Sequence, residues 1–280
     1  MAIPRTLMAH NRFERPENKK PKRVVFLSVE GNVTEPDYFR YVKEYQKQLG
    51  IEAVVDVCVL QRAGTESAIL DVLNLLENYI EIRNDASFDA KIKGLEIKDY
   101  TSEFITQYIE DKDGIPLREQ RKFEAILWKE RLDLEYLRFL NTYKGDDDVF
   151  GVVIDRDEGC HKDFQFDKLF SRCDKKGYKC FLTNPRFEFW LLLHVSDVKD
   201  EYAGELEKML DGKDKSVDEH LHEKTGMGKK KTIQRKVFEQ YFLPNIDVAI
   251  RRANEFCTSR NDLLTRLGSN LGELFTLLRE

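Results

Sequence analysis

Hydrophobic residues in the first 200 positions form short continuous runs that alternate with stretches of helical periodicity. Four runs are nearly continuous in apolar and β-branched residues, at 24–29, 53–60, 149–154 and 178–182. Such runs are typical of strands buried on both faces of a parallel sheet. After the first run, Tyr38, Tyr41, Val42 and Tyr45 recur at the spacing of one helix face. The alternation predicts an α/β fold with a parallel sheet flanked by helices.

Capping and turn residues predict where several of these elements begin and end. Gly31 ends the first run, and Thr34 is expected to cap the helix that follows it. Gly177 is expected to end the helix after the third run. Asn184 and Pro185 follow the fourth run and predict a helix with Asn at the N-cap and Pro in the first turn.

Two parts of the chain depart from the alternation. Residues 84–147 are rich in charge and predict an insertion with one amphipathic helix near 123–140, either a lid or a surface for a partner. Residues 201–280 predict a helical C-terminal region packed on the core. Its expected helices are 201–210, 232–239, 246–257 and 271–278. The predicted organisation is a basic arm at 1–22, a core at 23–200 and this helical region.

Composition narrows the class of protein. Of 280 residues, 41% are hydrophobic and 18 are Phe, which is enough for a real core and excludes a disordered chain. No apolar run approaches the ~20 residues that span a bilayer, and the N-terminus is basic without the apolar region of a secretory signal. We therefore expect a soluble cytoplasmic protein that does not engage the membrane.

The five cysteines lack any CxxC pair, which argues against disulfides. A zinc site made from Cys160, His161, Cys173 and Cys180 is the alternative, but structural zinc usually takes ligands in close pairs. We expect free, mostly buried thiols.

Charge is unevenly distributed along the chain, although the net charge is only −5. The basic arm at 1–22 is one positive segment, and a second runs from 224 to 236 around a Gly-rich turn. Within that second segment, Lys229, Lys230 and Lys231 are candidates for binding the phosphates of a nucleic acid. The alternative is a solvated basic surface.

Three acidic residues follow predicted strands. Glu30 comes directly after the first strand, and Asp155 and Asp157 follow the third. Ligands bind at the carboxyl ends of the strands in such sheets, so neighbouring strands would bring the three carboxylates together. Like charges this close need a cation, and Mg²⁺ prefers carboxylate oxygens. The pattern predicts a magnesium site, with Mn²⁺ as an alternative ion.

Two other acidic residues have competing interpretations. Glu188 is the only charged residue in the apolar stretch 187–193, so it is expected to be buried and to need a partner. It either pairs with an Arg or completes the metal site. Glu35 is interpreted as a helix N-terminal acid, with a metal role as the alternative. His194, Tyr38 and Phe39 are expected in the core.

These residues also carry a resemblance to a known family. An acidic residue and Gly after the first strand, with DxDxG after a later one, resemble the TOPRIM fold of topoisomerases, primases and OLD-type nucleases. More narrowly, the chain resembles the RloB-like family from about residue 23 to its end, with 84–147 unmatched. The matching motifs are EGNVTEPDYF from Glu30, DRDE from Asp155, NPRFEFWLLLH from Asn184 and GSNLGEL from Gly268.

The resemblance implies a TOPRIM-like core and a role in bacterial phage defence or abortive infection, beside an ABC- or AAA-type ATPase. It implies metal-dependent cleavage of nucleic acid, either RNA, including tRNA, or DNA. Asp155 and Asp157 would bind Mg²⁺, and Glu30 would be a metal ligand or the general acid/base. Arg156 would be structural or face a phosphate. The alternative function is a catalytically silent adaptor that docks on the ATPase. Whether the protein forms a homodimer is left open by the resemblance.

Overall fold

The structure, a computed structural model of the chain, describes residues 23–52, 55–60, 69–87, 97, 99–130, 134, 147–157, 161–211, 214–228 and 231–280. The described residues divide into two compact units. The larger unit holds the described residues of 23–60, 69–76 and 147–280, and the smaller unit holds those of 77–134. The predicted basic arm at 1–22 lies outside the described residues.

The larger unit is built on a five-stranded sheet in the order β2-β1-β3-β4-β5. Its strands are β1 (Arg23–Val29), β2 (Val55–Leu60), β3 (Val149–Asp155), β4 (Lys179–Asn184) and β5 (Gly268–Ser269). The first four strands are parallel, and the short β5 pairs antiparallel with β4. The predicted α/β fold with a parallel sheet is confirmed, and β1 and β3 are neighbours.

Helices connect and follow the strands. In chain order they are α1 (Thr34–Glu44), α2 (Ile69–Asn84), α3 (Ser102–Glu110), α4 (Leu117–Glu130), α5 (Asp163–Lys176), α6 (Phe187–Val195), α7 (Val198–Glu201), α8 (Leu206–Met209), α9 (Ser216–Thr225), α10 (Arg235–Val237), α11 (Ile246–Ala253) and α12 (Leu271–Arg279). A π-helical turn (Phe238–Phe242) and a 3-10 turn (Leu243–Asn245) join α10 to α11. Among the described residues, no helix has the length and apolarity that crossing a membrane requires.

The two faces of the sheet are covered by different helices, as the alternation along β1 dictates. Val25, Leu27 and Val29 belong to a large core that includes the side chains of α1, α6, α11 and α12. On the other face, Ser28 Oγ donates a hydrogen bond to the carbonyl of Val72 in α2 at 2.7 Å. Burial on both faces explains why β1 is a continuous apolar run.

A buried hydrogen-bonded network joins α1 to α6. Trp190 Nε1–H donates to the hydroxyl of Tyr38 at 3.1 Å, and that hydroxyl lies 3.1 Å from His194 Nε2. His194 Nδ1 lies 2.9 Å from the carbonyl of Trp190, so Nδ1 carries the proton and Nε2 accepts from Tyr38. Burial lowers the pKa of His194 to about 3. His194 and Tyr38 are core residues, as predicted.

Several predicted element boundaries are wrong. β4 continues through Asn184, whose amide donates to the carbonyl of Leu263 at 2.7 Å, so Asn184 is no helix cap and α6 begins only at Phe187. Thr34 is the first residue of α1 and no cap, because the N-cap position is Val33. By contrast, Gly177 ends α5 in the left-handed conformation, as expected, with φ 72°.

The C-terminal region also differs from its predicted helices. The expected helix 201–210 is instead the two short helices α7 and α8, and 232–239 is α10 followed by the π-helical turn. Helix α9 was not predicted, because its sequence SVDEHLHEKT is mostly polar and has no strong apolar period. The helices α11 and α12 were predicted, although α11 ends at Ala253.

The smaller unit corresponds to the described part of the predicted insertion together with the end of α2. It contains two helices, α3 and α4. The sequence predicted one helix at 123–140, and most of the second half of that range lies outside the described residues. The ring of Phe123 packs against Tyr100, Phe104 and Tyr108, with centroids 4.7–5.2 Å apart. This aromatic cluster gives the unit a core of its own.

Candidate active site at the carboxyl edge of the sheet

Glu30 lies at the carboxyl end of β1 and is held to β3. Its backbone N–H donates to the carbonyl of Val153 at 3.0 Å, which extends the pairing of β1 and β3 by one residue. Its carboxylate Oε2 accepts the backbone N–H of Asp155 at 3.0 Å. The other oxygen, Oε1, lies 2.8 Å from His161 Nε2. The side chain is therefore directed to the edge where β3 ends.

Asp155 is the last residue of β3, and the charges of three other acids act on its carboxylate. Burial raises the pKa of Asp155 well above its usual range, and the charges of Glu35, Glu30 and Glu188 raise it further. The charge of Lys231 opposes that rise. The structure therefore groups three predicted site residues, Glu30, Asp155 and Glu188, around the carboxyl ends of the strands.

Glu35 joins this group from the first turn of α1. Its Oε1 accepts the backbone N–H of Gly31 at 2.9 Å, and the side chain is buried. Burial raises the pKa of Glu35 to about 7, and the charges of Glu188 and Glu30 add to this rise. Hydrogen bonds from the backbone oppose part of it. A Cβ on Gly31 would lie 1.9 Å from Glu35 Oε2, so only glycine at position 31 leaves room for this carboxylate.

Glu188 has a lysine as its partner. Lys231 Nζ lies 2.9 Å from Glu188 Oε1 and 3.1 Å from Asp218 Oδ1 of α9. Burial lowers the pKa of Lys231, but the two ion pairs outweigh it and the net shift is upward. The sequence left two interpretations of Glu188 open. Pairing with an Arg is wrong, because the partner is a lysine. The metal role stays a prediction.

The backbone around Lys231 is fixed to α1. Thr34 Oγ1 donates to the carbonyl of Lys231 at 3.2 Å, and the backbone N–H of Ile233 donates to Asp37 Oδ2 at 3.2 Å. Lys231 itself has φ 54°, a left-handed conformation that is uncommon for a residue with a Cβ. These contacts hold the lysine ammonium against the acidic group.

Arg156, directly after β3, bonds to residues at and just before the start of α5 and to Leu264. This buried side chain donates from Nε to the carbonyl of Leu264 at 2.8 Å and from Nη1 to the carbonyl of His161 at 3.2 Å, and its Nη2 pairs with Asp163 at 2.9 Å. Arg156 is structural, which is one of the two roles that the sequence left open.

The remaining predicted site residues are less fully placed. Asp157 is half-buried and its backbone N–H donates to the carbonyl of Pro185 at 2.9 Å, so the peptide is fixed while its metal role stays a prediction. Lys229 and Lys230 lie outside the described residues. Lys231 is 37% exposed, and its described ion pairs are to acids of the protein.

Three of the five cysteines have described side chains. Cys173, Cys180 and Cys257 are free and buried, as predicted for these three. His161 contacts Glu30, and Cys160, the other member of the considered zinc set, lies outside the described residues. Throughout the described ranges, no three His, Cys, Asp or Glu side chains are arranged as a set of metal ligands.

The chemistry of the acidic group suits a hard cation, and binding one would require its carboxylates to converge further. Carboxylate oxygens are the ligands that Mg²⁺ and Mn²⁺ prefer, and the charge of Lys231 opposes only in part the repulsion that Glu35, Glu30 and Glu188 exert at Asp155. Sequence reasoning missed His161 as a partner of Glu30 and Asp218 as a partner of Lys231. No local pattern indicates either, since both contacts join distant segments.

Comparisons with known proteins bear on the whole chain. The model of the family described as RloB-like protein matches residues 25–278. No curated protein matches, and no solved structure matches. The matched range extends over nearly the entire sequence and includes the positions of the four acids and Lys231. The chain therefore belongs to the RloB-like family.

Proposed function

We propose that this protein is a nuclease that requires a divalent metal ion and acts as an effector of bacterial antiviral defence. The observation that carries the proposal is the grouping of Glu30, Glu35, Asp155 and Glu188 at the carboxyl edge of the sheet. Burial and the charges of neighbouring acids raise the pKa values of Glu35 and Asp155, which costs free energy that a divalent cation would recover. The defence role comes from the resemblance to RloB-like and TOPRIM proteins.

Each acidic residue has a distinct part in this proposal. Asp155, Glu35 and Asp157 would hold Mg²⁺ or Mn²⁺ through carboxylate oxygens, and Glu188 would join them when Lys231 turns away. Glu30, fixed by its two hydrogen bonds, would be a metal ligand or move a proton at an oxygen of the phosphodiester. The bound metal would supply polarisation of the phosphoryl group and a more acidic water.

The substrate class follows from charge and from the resemblance. A phosphate backbone would meet Lys231 at the site, and Lys229 and Lys230 directly precede Lys231 in the sequence, which favours a polyanion over a small neutral ligand. We propose RNA, including tRNA, or DNA cut without strong sequence preference, with an ATPase partner controlling the activity. No helix-turn-helix or zinc-finger motif is apparent in the sequence.

The decisive experiment incubates the purified protein with total tRNA and with plasmid DNA in Mg²⁺, with and without the neighbouring ATPase. Glu30→Gln keeps the shape of the side chain and removes its charge. We expect cleavage to fall by about 10²–10⁴-fold, the usual contribution of a positioned proton-transfer group. Exposed Glu110→Gln is the matched control. Cleavage that persists in EDTA or in Glu30→Gln contradicts the proposal.

A second function is favoured by a different observation. Both oxygens of Glu30 already accept protein hydrogen bonds, and Lys231 already neutralises Glu188, so the site is partly satisfied without a metal ion. This is what a catalytically silent adaptor would need. An adaptor would bind nucleic acid or the ATPase equally well with Mg²⁺ and with EDTA, and it would protect cells from phage as well in the Glu30→Gln form.

A further inference from the structure

The contact between His161 and Glu30 has the geometry of a directed hydrogen bond. His161 Nε2 lies 2.8 Å from Glu30 Oε1, and the two side chains are only 3% and 11% exposed. A carboxylate accepts hydrogen bonds, so the imidazole donates and Nε2 carries the proton. The bond joins two strand ends, because Glu30 follows β1 and His161 lies on the loop after β3.

A second donor holds the other oxygen of the Glu30 carboxylate, so the two hydrogen bonds together clamp the group. Oε2 of the same carboxylate accepts the backbone N–H of Asp155 at 3.0 Å. A carboxylate held at one oxygen can still rotate, whereas donors at both oxygens fix its plane. Each oxygen keeps a further lone pair, so the clamp orients the group without using up its capacity to accept a cation or a proton.

The imidazole is itself fixed by groups outside the acidic cluster. Arg156 Nη1–H donates to the carbonyl of His161 at 3.2 Å, and the backbone N–H of His161 donates to the carbonyl of Asp157 at 3.3 Å. The ring stands edge-on to Phe166, with centroids 6.1 Å apart and an interplanar angle of 81°. The position of His161 is therefore set by Arg156, Asp157 and Phe166 of α5, independently of Glu30.

We propose that His161 is a positioning residue that holds the carboxylate of Glu30 toward the shared acidic site. The residue acts through Glu30 and touches no reacting atom. The inference rests on the proposed function for what Glu30 does, while the hydrogen bond itself can be tested without metal or substrate. A partner that orients a metal ligand is typically worth about 10–100-fold in metal affinity.

The first test observes the bond by NMR of protein labelled with ¹⁵N-histidine. We expect an imidazole Nε2–H resonance that is absent from His161→Gln and that moves in Glu30→Gln, because the charge on the acceptor is lost. A resonance that Glu30→Gln leaves unmoved, or a His161 protonated only at Nδ1, overturns the proposal. This result does not depend on whether the protein binds metal.

The second test measures Mn²⁺ affinity by calorimetry in matched variants. His161→Leu removes the donor, and we expect affinity to fall by about 10–100-fold, whereas His161→Gln keeps an N–H at similar reach and should recover most of that loss. His220→Leu is the control, because His220 also contacts a glutamate, Glu205, at 3.2 Å but outside the acidic group. Equal losses in both His161 variants, or no loss in His161→Leu, overturn the positioning role.

If the wild-type protein binds no Mn²⁺, the proposed metal-dependent function fails, and the NMR experiment alone decides whether His161 holds Glu30. The thermal midpoint of each variant is measured beside its affinity. A variant that unfolds is replaced by His161→Asn, whose shorter amide fills part of the space but falls short of Glu30. It is expected to bind Mn²⁺ as weakly as His161→Leu, and wild-type affinity in that variant counts against the proposal.

Discussion

The ammonium of Lys231 lies 2.9 Å from the carboxylate of Glu188, which is the charged residue in the apolar helix α6. A buried acid on a helix that is apolar on all sides needs a counter-charge, and the lysine provides it from a segment bound to the first turn of α1. Lys231 also faces Asp218, so one ammonium serves two acids. The ion pair is thus both a packing requirement of α6 and a charge at the edge of the candidate site.

Removing the lysine charge is expected to destabilise the protein without metal. Lys231→Met leaves Glu188 buried and unpaired, and we expect a loss of about 1–3 kcal/mol in the free energy of unfolding. This is less than the ~3–5 kcal/mol typical of a fully buried pair, because Lys231 is 37% exposed. Adding Glu188→Gln to Lys231→Met should restore most of the loss. Denaturant unfolding measures both, and additive effects would contradict a direct pair.

Asp155→Asn is expected to change stability and metal affinity in opposite directions. Without metal, the substitution removes a charge that Glu35, Glu30 and Glu188 disfavour, so the free energy of unfolding at about pH 8 should rise. At the same time an anionic ligand is lost, and Mg²⁺ affinity should fall. Thermal unfolding with and without Mg²⁺ tests both. Unchanged Mg²⁺ affinity by calorimetry counts against metal ligation by Asp155.

Stability without metal should fall as the pH rises because of Glu35. The pKa of Glu35 is raised from 4.5 to about 7, so the folded state binds its proton more tightly than the unfolded state. The added stability is therefore present below about pH 4.5 and is lost as the pH rises toward 7, by on the order of 3 kcal/mol. Glu35→Gln should flatten this slope, whereas the exposed control Glu110→Gln should not. Urea unfolding across about pH 4–8 in EDTA measures the effect.

Gly31→Ala tests the close approach of Glu35 to the backbone. The new Cβ would lie 1.9 Å from Glu35 Oε2, so the carboxylate has to leave its hydrogen bond with the N–H of residue 31. We expect a loss of about 0.5–1.5 kcal/mol, the usual net contribution of one hydrogen bond, because the flexible carboxylate can move aside but leaves the N–H of residue 31, and we expect reduced Mg²⁺ affinity. Gly204→Ala is the control, because nothing lies within 4 Å of its Cβ position. Equal stability of the two variants would show that Glu35 is not held there.

Tyr38→Phe tests whether the hydroxyl of Tyr38 contributes only to stability or also to metal binding at the candidate site. It removes the hydroxyl that accepts from Trp190 and donates to His194, and it leaves two buried polar groups without that partner. We expect the free energy of unfolding to fall by about 2–6 kcal/mol, since each of the two unsatisfied groups costs about 1–3 kcal/mol. Mg²⁺ affinity of the folded variant should equal that of the wild type. Weaker Mg²⁺ binding by the folded Tyr38→Phe variant than by the wild type would place Tyr38 in the site.

The sequence by itself determined the parallel sheet and the edge at which the acids lie. The continuous run of β1 is typical of a strand buried on both faces, and the acids Glu30 and Asp155 come directly after two such runs. Strand polarity places the ends of parallel neighbours at one edge, so their proximity follows once β1 and β3 pair. Family membership was also accessible, because it depends on ordered motifs.

Tertiary structure alone decided which groups satisfy the acids. Local periodicity carries no information on contacts between distant segments, so the bond from His161 to Glu30 and the pair of Lys231 with Glu188 could not be predicted. The end of β4 was mispredicted for the same reason. Asn184 is a good helix cap by its residue type, but its amide donates to the carbonyl of Leu263, and a long-range hydrogen bond overrides the local preference.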